Sequence, residues 1–112
     1  MSNRVKYFSK QELELKPDVD GAKMWAVSLD KTQFTYFEVE PEKIFGMHSH
    51  ESEQITHVLS GELYFEFEEE IICVKEGGII AIPSNIPHAV FTKDLAAKAV
   101  DAWSPVMDKY SE

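Results

Sequence analysis

Across residues 23–103 apolar and polar side chains alternate with a period of two, and turns cut the alternation into short pieces. That pattern describes strands with one face in a core and one in water, and it leaves little room for helix. Leu63, Phe65 and Phe67, interleaved with Glu62, Tyr64, Glu66 and Glu68, show it most plainly. Strands are expected at 23–29, 33–40, 44–50, 54–59, 62–68, 71–75, 79–82, 88–93 and 97–103. The breaks carry turn chemistry: Asp30-Lys31-Thr32, Glu51-Ser52-Glu53, Ser60-Gly61, Glu76-Gly77-Gly78 and the loop from Pro83 to Pro87. Glu69-Glu70 turns the chain at the tip of an acidic hairpin, read as a solvated end rather than a cation site. Strands so evenly spaced predict an all-β fold, a sandwich or closed barrel, because closure removes exposed edges. Helix is expected only as a turn near Ser9, where Ser9-x-x-Glu12 spells a capping box, and in the tail.

With 112 residues the chain is read as a single domain: an N-terminal arm (1–20), a barrel core (21–105) and a C-terminal tail (106–112). Acidic residues outnumber basic ones 20 to 11, a net charge of −9. Nothing clusters Lys or Arg as a phosphate backbone requires, so neither nucleic acid nor an anionic membrane surface is an expected partner. The longest apolar runs are strand-sized, too short to span a bilayer as helix. Met1 to Lys10 lacks the apolar core of a signal peptide, and Cys73 has no cysteine to pair with, so a cytoplasmic location is expected. Cys73 also lacks a basic neighbour and is assigned to packing.

Chemistry is concentrated in the histidines. His48 and His50 lie two apart on a predicted strand, so both side chains leave the same face and can share a metal ion. A further ligand must come from a neighbouring strand. In 54–59 one face carries Gln54, Thr56 and Val58, and the other carries Ile55, His57 and Leu59. Alternation alone does not say which of these sets faces the histidine pair.

His48-Ser-His50-x3-Gln54-x6-Gly61 resembles the first motif of the cupin superfamily, and Gly77-x5-Pro83-x-Asn85-x2-His88 resembles the second. The resemblance implies a single-domain cupin, an antiparallel double-stranded β-helix or jelly-roll barrel. It also implies one divalent metal ion (Ni, Zn, Fe, Co or Mn) on His48, His50, Gln54 and His88. His57 then belongs to the other face, and Glu53 is the alternative oxygen ligand, at the cost of the spacing to Gly61. Three positions depart from the family pattern: Glu42 and Asn85 stand where glycine is usual, and Gln54 where glutamate is usual. Three neutral imidazoles and a neutral amide leave a divalent ion its full charge, which suits Lewis-acid chemistry.

Within the superfamily, the pattern extended through Val58-Leu-Ser-Gly61 and closed by Asp101-Ala-Trp103-Ser-Pro105 is similar to the KdgF-type pectin-degradation cupins. That likeness implies a sugar-acid substrate and uronate metabolism, specifically ring opening of a 4,5-unsaturated uronate to its linear keto form. It implies catalytic roles for Asp101, as the proton acceptor, and Trp103, stacked on the sugar. The group's arginine falls on Met107 here, with Lys109 the nearest cation. Two other classes stand beside it: a mononuclear iron dioxygenase acting on a small aromatic or diketone, and a non-catalytic small-ligand-binding cupin. Cupins of this size commonly pair, and a homodimer formed by strand-edge pairing is expected.

Overall fold

The computed structural model describes residues 4–110. Ten strands follow in order: β1 (Lys16–Pro17), β2 (Ala22–Ser28), β3 (Gln33–Val39), β4 (Ile44–His48) and β5 (Glu53–Ser60), then β6 (Glu62–Glu66), β7 (Ile71–Lys75), β8 (Ile79–Ile82), β9 (His88–Phe91) and β10 (Ala97–Ser104). Single 3-10 turns lie at Lys10–Glu12 and Asp108–Tyr110. In the first, the Glu12 carboxylate turns back to accept from the Ser9 backbone N–H at 3.0 Å and hydroxyl at 2.9 Å. Nine of the strands match the expected ones to within one or two residues at each end. The exception is β1, two residues pairing with β2 and too short for any alternation to show.

Six strands form one sheet, in the order β1-β2-β3-β10-β5-β8, and four form the other, β4-β9-β6-β7. Every pairing is antiparallel. The sheets face one another as a jelly-roll barrel. Between them Val58, Leu63, Phe65, Val74, Ile80, Ile82, Ala97 and Ala99 form a continuous core, drawn from five strands. Among the described residues no helix is long and apolar enough to cross a membrane.

Burial along β5 answers the question that alternation left open. Gln54, Thr56 and Val58 are buried, whereas Ile55 and Leu59 are exposed and His57 shares their outer face. Gln54 therefore looks into the barrel.

Backbone conformation accounts for two of the departures from the family motif. Glu42 and Asn85 both take left-handed φ, +58° and +64°, the region where glycine is usual. Asn tolerates that region; Glu does not do so readily. Glu42 is held there by its N–H, which donates to the Lys93 carbonyl at 2.7 Å. Asn85 N–H donates to the His50 carbonyl at 2.7 Å, tying the loop before His88 to the loop that carries His50. Glu42→Gly should consequently raise stability, by about 1 kcal/mol, through relief of the left-handed penalty. Urea denaturation checks it, and an unchanged midpoint would contradict the argument. Gly61 shares the left-handed backbone, at φ +74°, and a Cβ there would also run into the Ala96 carbonyl oxygen.

Candidate metal centre and its cavity

His48 ends β4 and His88 begins β9, and the two are direct cross-strand partners in the four-stranded sheet. His50 comes from the loop after β4 and reaches the same spot. Ring centroids are 4.5 Å apart for His48–His88, 5.1 Å for His50–His88 and 5.6 Å for His48–His50. One ligand atom from each lies within 4.8 Å of the others, close enough to hold a metal ion.

The tautomers are set by the backbone. Nδ1 of His48 lies 2.9 Å from the Gly46 carbonyl, Nδ1 of His50 2.8 Å from that of Ser52, and Nδ1 of His88 2.8 Å from that of Ile86. A carbonyl only accepts, so each Nδ1 carries the proton and each Nε2 keeps a lone pair. This is the arrangement in which imidazoles serve as oriented metal ligands. Burial holds His88 below the usual imidazole pKa, against the opposing pull of the Ile86 carbonyl, and the neighbouring His48 and His50 add to the lowering. It is neutral at pH 7, as a ligand must be.

Among the described residues two buried polar side-chain atoms have no hydrogen-bond partner: His50 Nε2 and Gln54 Oε1. Native interiors leave few such groups, and both belong to residues singled out by the motif. A divalent ion fits this donor set. Glu53, the alternative oxygen ligand, is exposed on the opposite face of β5.

Asp101 sits in the middle of the six-stranded sheet, opposite Thr35 of β3 on one side and Thr56 of β5 on the other. It accepts from the Thr35 hydroxyl at 3.1 Å and from the Thr56 hydroxyl. Gln54 Nε2 lies 2.8 Å from Thr56 Oγ1 and 3.5 Å from Asp101 Oδ1. Trp103 stands opposite Gln54, donates Nε1–H to Thr35 Oγ1 at 2.9 Å and packs edge-on against His50. Burial pushes the Asp101 carboxyl up to about 6, and its hydrogen bonds from Thr56, Thr35 and Gln54 only partly offset that.

A carboxyl raised from 3.8 to about 6 on folding adds stability below its unfolded value, and that stability is lost as pH rises through about 6. The stability of the metal-free chain relative to Asp101→Asn should fall by about 2 kcal/mol between pH 4 and pH 7.5. Chemical denaturation of both proteins across that range measures it, and taking the difference cancels the opposite contribution of His88.

A cavity of about 530 Å³ is lined by His48, Gln54, Thr56, Asp101 and Trp103. Its remaining walls are largely apolar, including Phe37, Val39, Phe45, Leu63, Phe65 and Val90. Met107, Lys109 and Tyr110 of the C-terminal turn line it too, and Tyr110 packs on Phe37 and Trp103. Among the described residues Lys109 is the one Lys or Arg in the lining, and its Nζ lies 3.7 Å from Asp18 Oδ1. The two threonines and Tyr110 escaped the sequence reading. Two threonines beside an aspartate mean nothing until strand register puts them side by side.

Among solved structures the fold has many relatives. KdgF from a Halomonas species superposes with a TM-score of 0.84 at 19% identity, covering 95% of this chain and 100% of that one. An RmlC-like cupin from Shewanella frigidimarina superposes with a TM-score of 0.85 at 16% identity, covering 96% and 97%. The lyase DddQ from Ruegeria pomeroyi, which acts on DMSP, gives 0.72 at 22% identity, covering 91% of this chain and 56% of that one. At such identities the likeness is one of fold. No curated protein sequence matches significantly. The cupin domain profile matches residues 35–103, which take in the histidine trio, Gln54, Asp101 and Trp103. With more than half its length matched, two facing antiparallel sheets and three histidines converging between them, the chain belongs to the cupin domain family.

Proposed function

We propose that the chain is a metal-dependent enzyme of Lewis-acid type that moves a proton on a small sugar acid, by ring opening of a 4,5-unsaturated uronate. The observation that carries this reading is Asp101, a buried carboxylate that lines the same cavity as His48 and lies 3.5 Å from the Gln54 amide. A group held at about 6 accepts a proton at neutral pH and gives it back readily, as general acid–base catalysis requires. The similarity of the closing Asp101-Ala-Trp103-Ser-Pro105 segment to the KdgF-type cupins supports the specific substrate.

His48, His50, His88 and Gln54 would hold the ion, whose bound charge would stabilise negative charge developing on substrate oxygens. Asp101 accepts the proton of the anomeric hydroxyl as the bond between the anomeric carbon and the ring oxygen breaks, giving the aldehyde and an enolate. It returns that proton to carbon 4, which completes the keto form, so the reaction is a net isomerisation. Trp103, anchored by Thr35, walls the face on which the sugar lies. Met107 leaves the substrate carboxylate without a guanidinium, and Lys109 is engaged by Asp18.

Loss of the ultraviolet absorbance of the unsaturated uronate measures turnover. At saturating metal, Asp101→Asn should lower it about a hundredfold or more. Met107→Arg should raise turnover or lower the Michaelis constant by adding a two-pronged carboxylate partner. No turnover by either the metal-loaded native chain or Met107→Arg would overturn the uronate assignment. The apolar walls favour one second reading, an iron dioxygenase on a small aromatic or diketone. Oxygen consumption with ferrous iron, absent with zinc or nickel, would select it.

A further inference from the structure

We propose that Asp101 acts as a positioning residue for the metal centre: through Thr56 it turns the Gln54 amide so that the carbonyl oxygen, not the nitrogen, faces the histidines. This rests on the metal reading above and adds to it the reason why position 54 is an amide.

Asp101 accepts from the hydroxyls of both Thr35 and Thr56, so each hydroxyl spends its single proton on the carboxylate. Thr56 Oγ1 then has only lone pairs left to offer. The Gln54 atom 2.8 Å away must therefore be the N–H2 group, whose second hydrogen points towards Asp101 Oδ1 at 3.5 Å. With the nitrogen so occupied, Oε1 is turned the other way, and it is one of the two buried polar atoms without a partner. Thr35 is fixed independently, because the Trp103 indole N–H can only donate and does so to Thr35 Oγ1 at 2.9 Å. Trp103 and Gln54 thus both donate, through a threonine each, towards one central carboxylate. A glutamate at 54 would break the circuit, placing lone pairs against Thr56 and a second buried carboxylate beside Asp101.

Asp101→Asn tests the direction of the circuit. The asparagine N–H2 must face one of the two hydroxyls. The side of Thr35 is closed, since that oxygen already accepts from Trp103 and its proton would be left without a taker. The N–H2 therefore faces Thr56, whose proton turns to Gln54, and the amide flips to present N–H2 to the histidines. An N–H2 group cannot ligate a cation. Thr56→Val removes the relay altogether, while Thr56→Ser keeps the hydroxyl.

The experiment is titration of the metal-stripped full-length chain with cobalt(II), reading affinity and visible absorption. Misorienting a ligand through its outer-sphere partner costs about 10- to 100-fold in metal affinity. Asp101→Asn and Thr56→Val should both lose at least tenfold and change the cobalt spectrum, while Thr56→Ser and the outer-face control His57→Ala should keep both. Nuclear magnetic resonance of the metal-free native chain should show Gln54 side-chain N–H2 protons protected from exchange, with that protection lost in Thr56→Val. Native affinity and spectrum in both Asp101→Asn and Thr56→Val would overturn the inference and leave the metal reading intact. Failure of the native chain to bind cobalt would instead overturn the metal reading and the inference with it.

Discussion

His88→Ala should abolish most divalent-metal binding, lowering affinity by more than about a hundredfold, beyond the range typical of losing a ligand's hydrogen-bond partner. His88 is 1% exposed, the most deeply buried of the three imidazoles, and lies directly across from His48. Its Nδ1–H is pinned to the Ile86 carbonyl, so Nε2 is aimed without any loss of rotamer freedom on binding. Removing it leaves His50 and the exposed His48. Calorimetric titration with zinc measures the effect. His57→Ala is the matched control, because His57 lies on the outer face of β5, and it should keep one ion per chain. Below about pH 6 the native chain should lose metal as well, since a protonated imidazole cannot ligate.

The second large effect is on stability. Phe65→Ala should cost about 3–5 kcal/mol, the range for deleting a fully buried aromatic ring. Phe65 is 1% exposed and packs in the cluster shared by β5, β6, β7, β8 and β10, so it joins the two sheets. Its ring also lines the 530 Å³ cavity, so the lost volume adds to an existing space that rigid sheets cannot collapse to fill. Urea denaturation of the metal-free protein gives the number; a loss under about 1 kcal/mol would mean that the sheets repack around the gap.

Most strands were legible because each sheet has one wet face, and half-burial writes itself into the chain as alternation. Leu63 and Phe65 look inward, Glu66 outward, and the structure keeps that parity. The histidine trio was legible from its motif spacing, although the strand ends at His48 and His50 reaches the site from the loop rather than from the same strand face. Alternation could not say which face of β5 looks inward; packing decides that, and it buries Gln54. Nor could it show β1, whose two residues have no period, or the left-handed backbone at Glu42, which only closure of the loop imposes.

The polar circuit was the least visible part. Asp101 was singled out by likeness to a family, but Thr35 and Thr56 lie 66 and 45 residues away from it in sequence. They meet it only because β10 inserts between β3 and β5 in one particular register. Long-range register of this kind is a property of the assembled sheet. The apolar walls of the cavity belong to the same class, since Phe37, Phe45 and Val90 reach it from three different strands.

We propose that His48, His50 and His88 together hold one divalent ion, with Gln54 supplying oxygen. X-ray absorption at the zinc edge of the loaded protein tests it most directly, because imidazole rings leave a distinctive scattering signature. Three imidazoles with light-atom ligands in the native protein, and two in whatever zinc His88→Ala retains at high concentration, is the result expected. A native spectrum with one imidazole or none would contradict it.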